Sequence, residues 1–121
     1  MRGVISKAVD RLADAGCEIV EASPDCSGLD EIFYVLRAHN YAAGLGELAE
    51  RSGDQLNHNV LWNIRAGQAL QVEDIIRAEA ERLQFVQRMQ SFFAEYPVIL
   101  CPATIVPPYP VSDDHLSLIH I

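Results

Sequence analysis

The sequence predicts an α/β fold, because helical patterns alternate with two short apolar segments that are typical of buried strands. The first segment, 17–22, follows a helix that ends at a glycine. The second, 98–101, is bounded by Pro97 and Pro102, and proline cannot donate a hydrogen bond to a strand ladder. We therefore predict a helix-rich α/β protein with about two strands, of which the second is buried on both faces.

The first strand is expected to follow directly on the first helix. Apolar residues recur at helical spacing between Ile5 and Ala15, and Gly16 stands where a helix C-cap is expected. Residues 17–22 then form an apolar segment that ends before Pro24. The order helix, glycine, strand is the repeating half of an α/β unit.

The middle of the chain is predicted to be helical with one loop. A long helical pattern runs to about residue 53, and it contains Gly44 and Gly46. Each glycine lowers helix stability by about 1 kcal/mol relative to alanine, which indicates a break or a close approach of another backbone. Residues 54–63 are predicted to form a loop that leads into a short helix ending near Gly67.

The strongest helical pattern covers residues 72–93 and leads to the second predicted strand. Glu73 and Arg77 have the spacing of an i,i+4 ion pair. Glu79 and Arg82 have the spacing of an i,i+3 pair. The residues predicted to form the single apolar side of this helix are Val72, Ile75, Ile76, Ala80, Leu83, Val86, Met89 and Phe93.

Composition excludes several partners. The formal net charge is −8 and Lys7 is the only lysine, which argues against nucleic acid as a partner. No run of residues approaches the eighteen or so apolar residues of a membrane span, so no membrane partner is expected.

The cysteines Cys17, Cys26 and Cys101 are odd in number and lack CxxC spacing, which favours a reducing, cytoplasmic location. Within its apolar run, Cys101 is interpreted as a buried, unreactive thiol.

The residues themselves indicate no complete catalytic group. The serines are scattered, without a GxSxG elbow, and Lys7 is interpreted as a solvated helix residue. The histidines His39, His58, His115 and His120 lack the ligand spacing of a metal site, so neither a metal nor a cofactor is expected. Trp62 lies in a polar stretch, where it either lines a ligand pocket or anchors a loop.

Three groups of residues, in this order, resemble the C-terminal region of the amidase signature family. The first is the run 8–21, with its helix, Gly16 and apolar segment. The second is Gly67 followed by 72–78 and Arg82. The third is 98–104, similar to the family's D-x-L-L-x-P-T strand, although Pro97 replaces the acidic residue before it and the Pro-Thr pair is spread over Pro102-Ala103-Thr104.

The resemblance implies that 1–112 is the C-terminal portion of an amidase domain with a mixed-sheet α/β/α fold. The full-length enzyme would hydrolyse carbon–nitrogen bonds of small carboxamides through a serine acyl-enzyme. Its Lys-Ser-Ser triad would lie upstream of this chain, so no residue here is expected to be catalytic. Trp62, Thr104 and Ile105 are the candidates for the substrate pocket, the last two because ligands of α/β proteins commonly bind beyond the carboxyl ends of strands.

Other expectations concern assembly and the end of the chain. A homodimer or a larger complex is one expected setting for the full-length enzyme. Residues 113–121 are expected to be a non-native or disordered tail. The alternative to an amidase segment is a free-standing, non-enzymatic α/β interaction module, which needs a partner because two strands do not form a stable sheet alone.

Overall fold

The computed structural model describes residues 2–103, and every regular element in that range is helical. The predicted α/β fold with two strands is therefore wrong for these residues, which form an all-α fold. The predicted tail, 113–121, lies outside the described residues. The helices are α1, Arg2–Asp14; α2, Leu29–Ser52; a 3₁₀ turn, Gly53–Gln55; α3, His58–Gln68; and α4, Val72–Glu95.

Neither predicted strand forms within the described part of the chain. Residues 17–22 and 98–101 are both without regular secondary structure. Their apolar side chains are exposed rather than buried, Val20 by 52% and Val98 by 81%. A strand buried on both faces needs hydrogen-bonded neighbours on either side, and no other described segment supplies them. The sequence pattern located the two apolar segments correctly, but it did not show whether other strands lie beside them.

The chain divides into two compact units. Residues 2–22 and 98–103 of the described range belong to one unit, and Ser23–Pro97 form the other. All five buried apolar residues of the described range lie in the second unit, which therefore contains the core. These residues are Ile32, Val35, Ala38, Ile64 and Ala78.

Helix α1 ends as its sequence predicts. Gly16 has a φ of 91°, a left-handed conformation that glycine adopts without a steric penalty. The Gly16 N–H donates to the Ala13 carbonyl at 2.9 Å, and the Cys17 N–H donates to the Leu12 carbonyl at 3.0 Å. This pair of bonds is a Schellman motif, and it satisfies the last carbonyls of the helix.

The second unit is built around α2, which contacts both α3 and α4. The helix runs without a break through Gly44 and Gly46, and a side chain at Gly44 would meet nothing within 4 Å. The predicted break or close approach at these glycines is therefore wrong. The close approach occurs instead at Gly67, where α3 packs directly against the backbone of α2.

Helix α4 begins and ends close to its predicted bounds, 72–93. A capping box starts it, in which the Gln71 N–H donates to Asp74 Oδ2 at 3.0 Å. Arg82 pairs with Glu79 at 2.7 Å, as predicted. Arg77, however, pairs with Asp74 at 2.9 Å rather than with Glu73.

The apolar residues of α4 form one broad side, and the structure covers only part of it. Ala78 is buried on the inner edge, toward α2, and Ile75 and Met89 are half-buried. Five large apolar side chains of this helix are exposed. They are Val72, Ile76, Leu83, Val86 and Phe93, which extend to the outer edge of the same side. A helix whose apolar side is wider than the stripe that faces its own core usually packs against a further partner.

Candidate functional site

An open cleft of about 620 Å³ lies in the second unit, between the end of α2, the 3₁₀ turn and α3. The lining of the cleft has no net charge, because its two cations, Arg51 and Arg65, are matched by two anions, Glu50 and Asp54. Arg51 is tied to its own helix, since its Nε donates to the Glu47 carbonyl at 3.3 Å. The full lining is Ala49, Glu50, Arg51, Gly53, Asp54, Leu61, Ile64, Arg65 and Gln68.

The lining of this cleft contains no serine, threonine, cysteine, lysine or histidine, and its two carboxylates are Glu50 and Asp54. The sequence alone predicted no site at these residues. The only available signal was the spacing of Leu61, Ile64, Arg65 and Gln68 on successive turns of one short helix.

Of the three candidates for the substrate pocket, Trp62 lies within the described residues. It belongs to α3 and not to a loop. The residue is 49% exposed, and its ring meets the Tyr34 ring of α2 edge to face, with 6.0 Å between centroids. Such aromatic contacts stabilise a packed pair by about 0.5–1.5 kcal/mol. Trp62 is not part of the cleft lining, so it joins α3 to α2 at a different surface. The other two candidates, Thr104 and Ile105, lie outside the described residues.

Two buried polar atoms near this helix pair have no hydrogen-bond partner within the described residues. They are Arg37 Nε and Asn63 Oδ1. The Asn63 amide instead donates to the Asn59 carbonyl at 2.7 Å, one turn earlier. The Arg37 guanidinium lies 4.9 Å from the centroid of the Phe33 ring, a cation–π distance.

Lys7, the candidate metal ligands and Cys101 are the other reactive side chains that the sequence offers. Lys7 is an exposed residue of α1. Residues 2–103 contain no group of three His, Cys, Asp or Glu side chains that could hold a metal ion. Cys101 is exposed and not buried as interpreted from its apolar run, because the predicted strand around it does not form.

A charged contact fixes the segment that precedes α2. Arg88 of α4 donates through Nη2 to the Ser27 carbonyl at 2.7 Å, and its Nε lies 3.2 Å from Asp25 Oδ2. Asp25 also accepts the Ser27 N–H at 2.9 Å. More than sixty residues separate Arg88 from these partners, so no local sequence pattern could identify the contact.

The same contact predicts a pH dependence of stability. Hydrogen bonds from Ser27, first from its side chain and then from its N–H, lower the pKa of Asp25, and Arg88 lowers it further. A lowered folded-state pKa gives stability that is present above the unfolded value of 3.8 and is lost as pH falls through the folded value. We expect Asp25→Asn to destabilise the protein at pH 7 and to have little effect in strong acid.

Urea unfolding of wild type and Asp25→Asn across a pH series measures this difference. Combining the substitution with Arg88→Gln should give less than the sum of the two single effects, because both remove the same ion pair. Arg82→Gln is the matched control, since Arg82 pairs with Glu79 on its own helix. An equal effect of Asp25→Asn at every pH would contradict the assignment.

Comparison of the chain with protein-family models, with curated proteins and with solved structures found no match. Among the described helices, none combines the length and apolar content needed to cross a bilayer.

Proposed function

We propose that this chain is a non-catalytic segment of a hydrolase of the amidase signature family that acts on carbon–nitrogen bonds of small carboxamides. The observation that carries the proposal is the order of the three groups of family-like residues, 8–21, 67–82 and 98–104. In such an enzyme, a serine nucleophile outside this chain forms the acyl-enzyme and backbone amides stabilise the oxyanion.

The positions of two family-like glycines support the proposal. Gly16 ends α1 in a left-handed conformation, and Gly67 allows α3 to pack against the backbone of α2. Both glycines therefore have a structural reason to be where the family pattern has them. Trp62, Thr104 and Ile105 remain the proposed contributions to the substrate wall, and no cofactor takes part.

The exposed apolar segments also support a larger protein around this chain. Ile19 is 43% exposed and Val20 52%, and Val98 and Leu100 are exposed as well. Covering such side chains stabilises a protein by about 25 cal/mol per Å² of apolar surface. The catalytic part of the hydrolase is the proposed cover, with the cytoplasm as the proposed location of the whole protein.

The purified 121-residue protein is expected to release no ammonia from simple carboxamides above the rate in buffer, because the Lys-Ser-Ser residues of the proposed enzyme lie outside this chain. A coupled ammonia assay measures this, with a full-length amidase as the positive control. Turnover that co-purifies with the chain, and is lost in Lys7→Ala, would overturn the placement of the catalytic residues.

Reading the gene upstream of the codon for Met1 tests the proposal directly. An in-frame continuation with a glycine- and serine-rich region, one lysine and two serines of the family pattern would support it. A stop codon and a ribosome-binding site immediately before Met1 would favour the alternative, a free-standing interaction module. The observation that favours this alternative is the outer apolar face of α4, which needs a partner rather than a substrate.

A further inference from the structure

The exposed apolar residues of α4 follow a heptad. Val72, Ile76, Leu83, Val86 and Phe93 are the exposed large apolar side chains of this helix. With Glu79 and Gln90 they fall at alternating spacings of four and three residues, which is the pattern of a coiled-coil seam. We name these seven positions the outer seam.

The outer seam lies away from the core of its own unit. Val72 is 67% exposed, Ile76 64% and Leu83 58%, whereas Ala78 on the inner face is 2% exposed. The seam runs from Val72 to Phe93, so it is about 33 Å long at 1.5 Å per residue. A seam of this length and composition fits the side of another helix with the same pattern.

We propose that the outer seam pairs with the outer seam of a second copy of this chain, with the two α4 helices antiparallel. In this register Leu83 packs beside Val86 of the second copy. Ile76 then meets Phe93 of the second copy, and Glu79 meets Gln90. Apolar residues thus face apolar residues, and the two polar positions face each other.

The polar positions determine the orientation and the partner. In a parallel pair, Glu79 would face Glu79 of the second copy, and like charges at a seam are destabilising. In the antiparallel pair, the Gln90 amide can donate to the Glu79 carboxylate. A partner helix with a wholly apolar seam would remove the Glu79–Arg82 ion pair from water without offering it a polar partner, which is unfavourable. The seam is therefore complementary to itself.

The first test is self-association of the full 121-residue chain by sedimentation equilibrium, over about 1–100 μM, a range that brackets micromolar affinities. Leu83→Glu should weaken the dimer by about 30-fold or more, the effect of losing a central contact. Gln84→Glu adds the same charge to an exposed neighbour outside the seam and should leave association unchanged. A monomeric wild type, or equal effects of both substitutions, would overturn the proposal.

The second test determines orientation and does not depend on a disruptive variant. Gln90→Lys would face Glu79 of the second copy and should tighten the antiparallel dimer about 3- to 10-fold, because two such pairs form. Gln90→Glu should weaken it by a similar factor. Weakening by both substitutions would indicate a parallel dimer, and no effect of either would indicate another surface; each result would refute the proposed pairing.

This inference is independent of the hydrolase proposal. Self-association is measured without a substrate, so an inactive dimer and an active monomer are distinguishable outcomes. Circular dichroism at 222 nm confirms that each variant retains its helices before its association is interpreted.

Discussion

Replacing Gly67 by alanine is expected to lower the free energy of unfolding by about 3 kcal/mol or more. A Cβ atom at this position would overlap the Ala38 carbonyl oxygen, and it would lie 2.6 Å from the Ala38 carbonyl carbon. It would also lie 2.8 Å from Ala42 Cβ. Because the obstacle is the backbone of α2, a side-chain rotation cannot relieve it.

The matched control is Gly44→Ala, in the middle of α2. A Cβ there meets nothing within 4 Å, so the change should stabilise the protein by about 0.5–1 kcal/mol through helix propensity. Urea unfolding monitored at 222 nm measures both variants. If the two substitutions changed stability in the same direction, the close packing of α3 on α2 at Gly67 would be refuted.

The contrast between these glycines shows what the sequence could and could not predict. Local patterns predicted helices at α1, α2, α3 and α4, the C-cap at Gly16 and the Glu79–Arg82 pair. The sequence marked Gly44 and Gly46 as unusual but gave no means to tell them from Gly67. The difference depends on which helix lies beside each glycine, and that is set by tertiary packing.

The same limit explains the strands that do not form. The runs 17–22 and 98–101 have the composition of buried strands, but a strand is defined by hydrogen bonds to neighbours. Within residues 2–103 no neighbour supplies those bonds, so the segments stay irregular and exposed. The apolar content of these segments predicted that their side chains would be buried by other residues. It could not predict whether those residues belong to the same chain.

For the candidate site, sequence reasoning identified Trp62 as notable and misjudged its setting. Its aromatic partner, Tyr34, lies 28 positions earlier in the sequence on α2, which periodicity alone does not reveal. The exposed part of α4 was not predicted, for a related reason. A list of apolar positions does not show that Ala78 is buried while Ile76, about 160° from it around the helix, is exposed.

Replacing Ile64 by alanine is the second change for which we expect a large effect. Ile64 is 1% exposed and is the largest fully buried side chain of the described residues. It is also the only buried residue of α3, the helix that packs most closely on α2. Truncating a buried isoleucine to alanine usually lowers the free energy of unfolding by about 2–5 kcal/mol, which includes the cavity left behind.

The location of Ile64 places this variant in the lower half of that range. Ile64 also lines the open cleft, so Leu61 or water can move into the space that the substitution creates. We therefore expect a loss of about 2–3 kcal/mol, with Ile64→Val losing about 0.5–1.5 kcal/mol. Val4→Ala, at a side chain that is 71% exposed in α1, is the control and should change stability by less than about 0.5 kcal/mol. A loss for Ile64→Ala no greater than for Val4→Ala would mean that α3 does not contribute to the core, and the cleft beside it would then have no fixed wall.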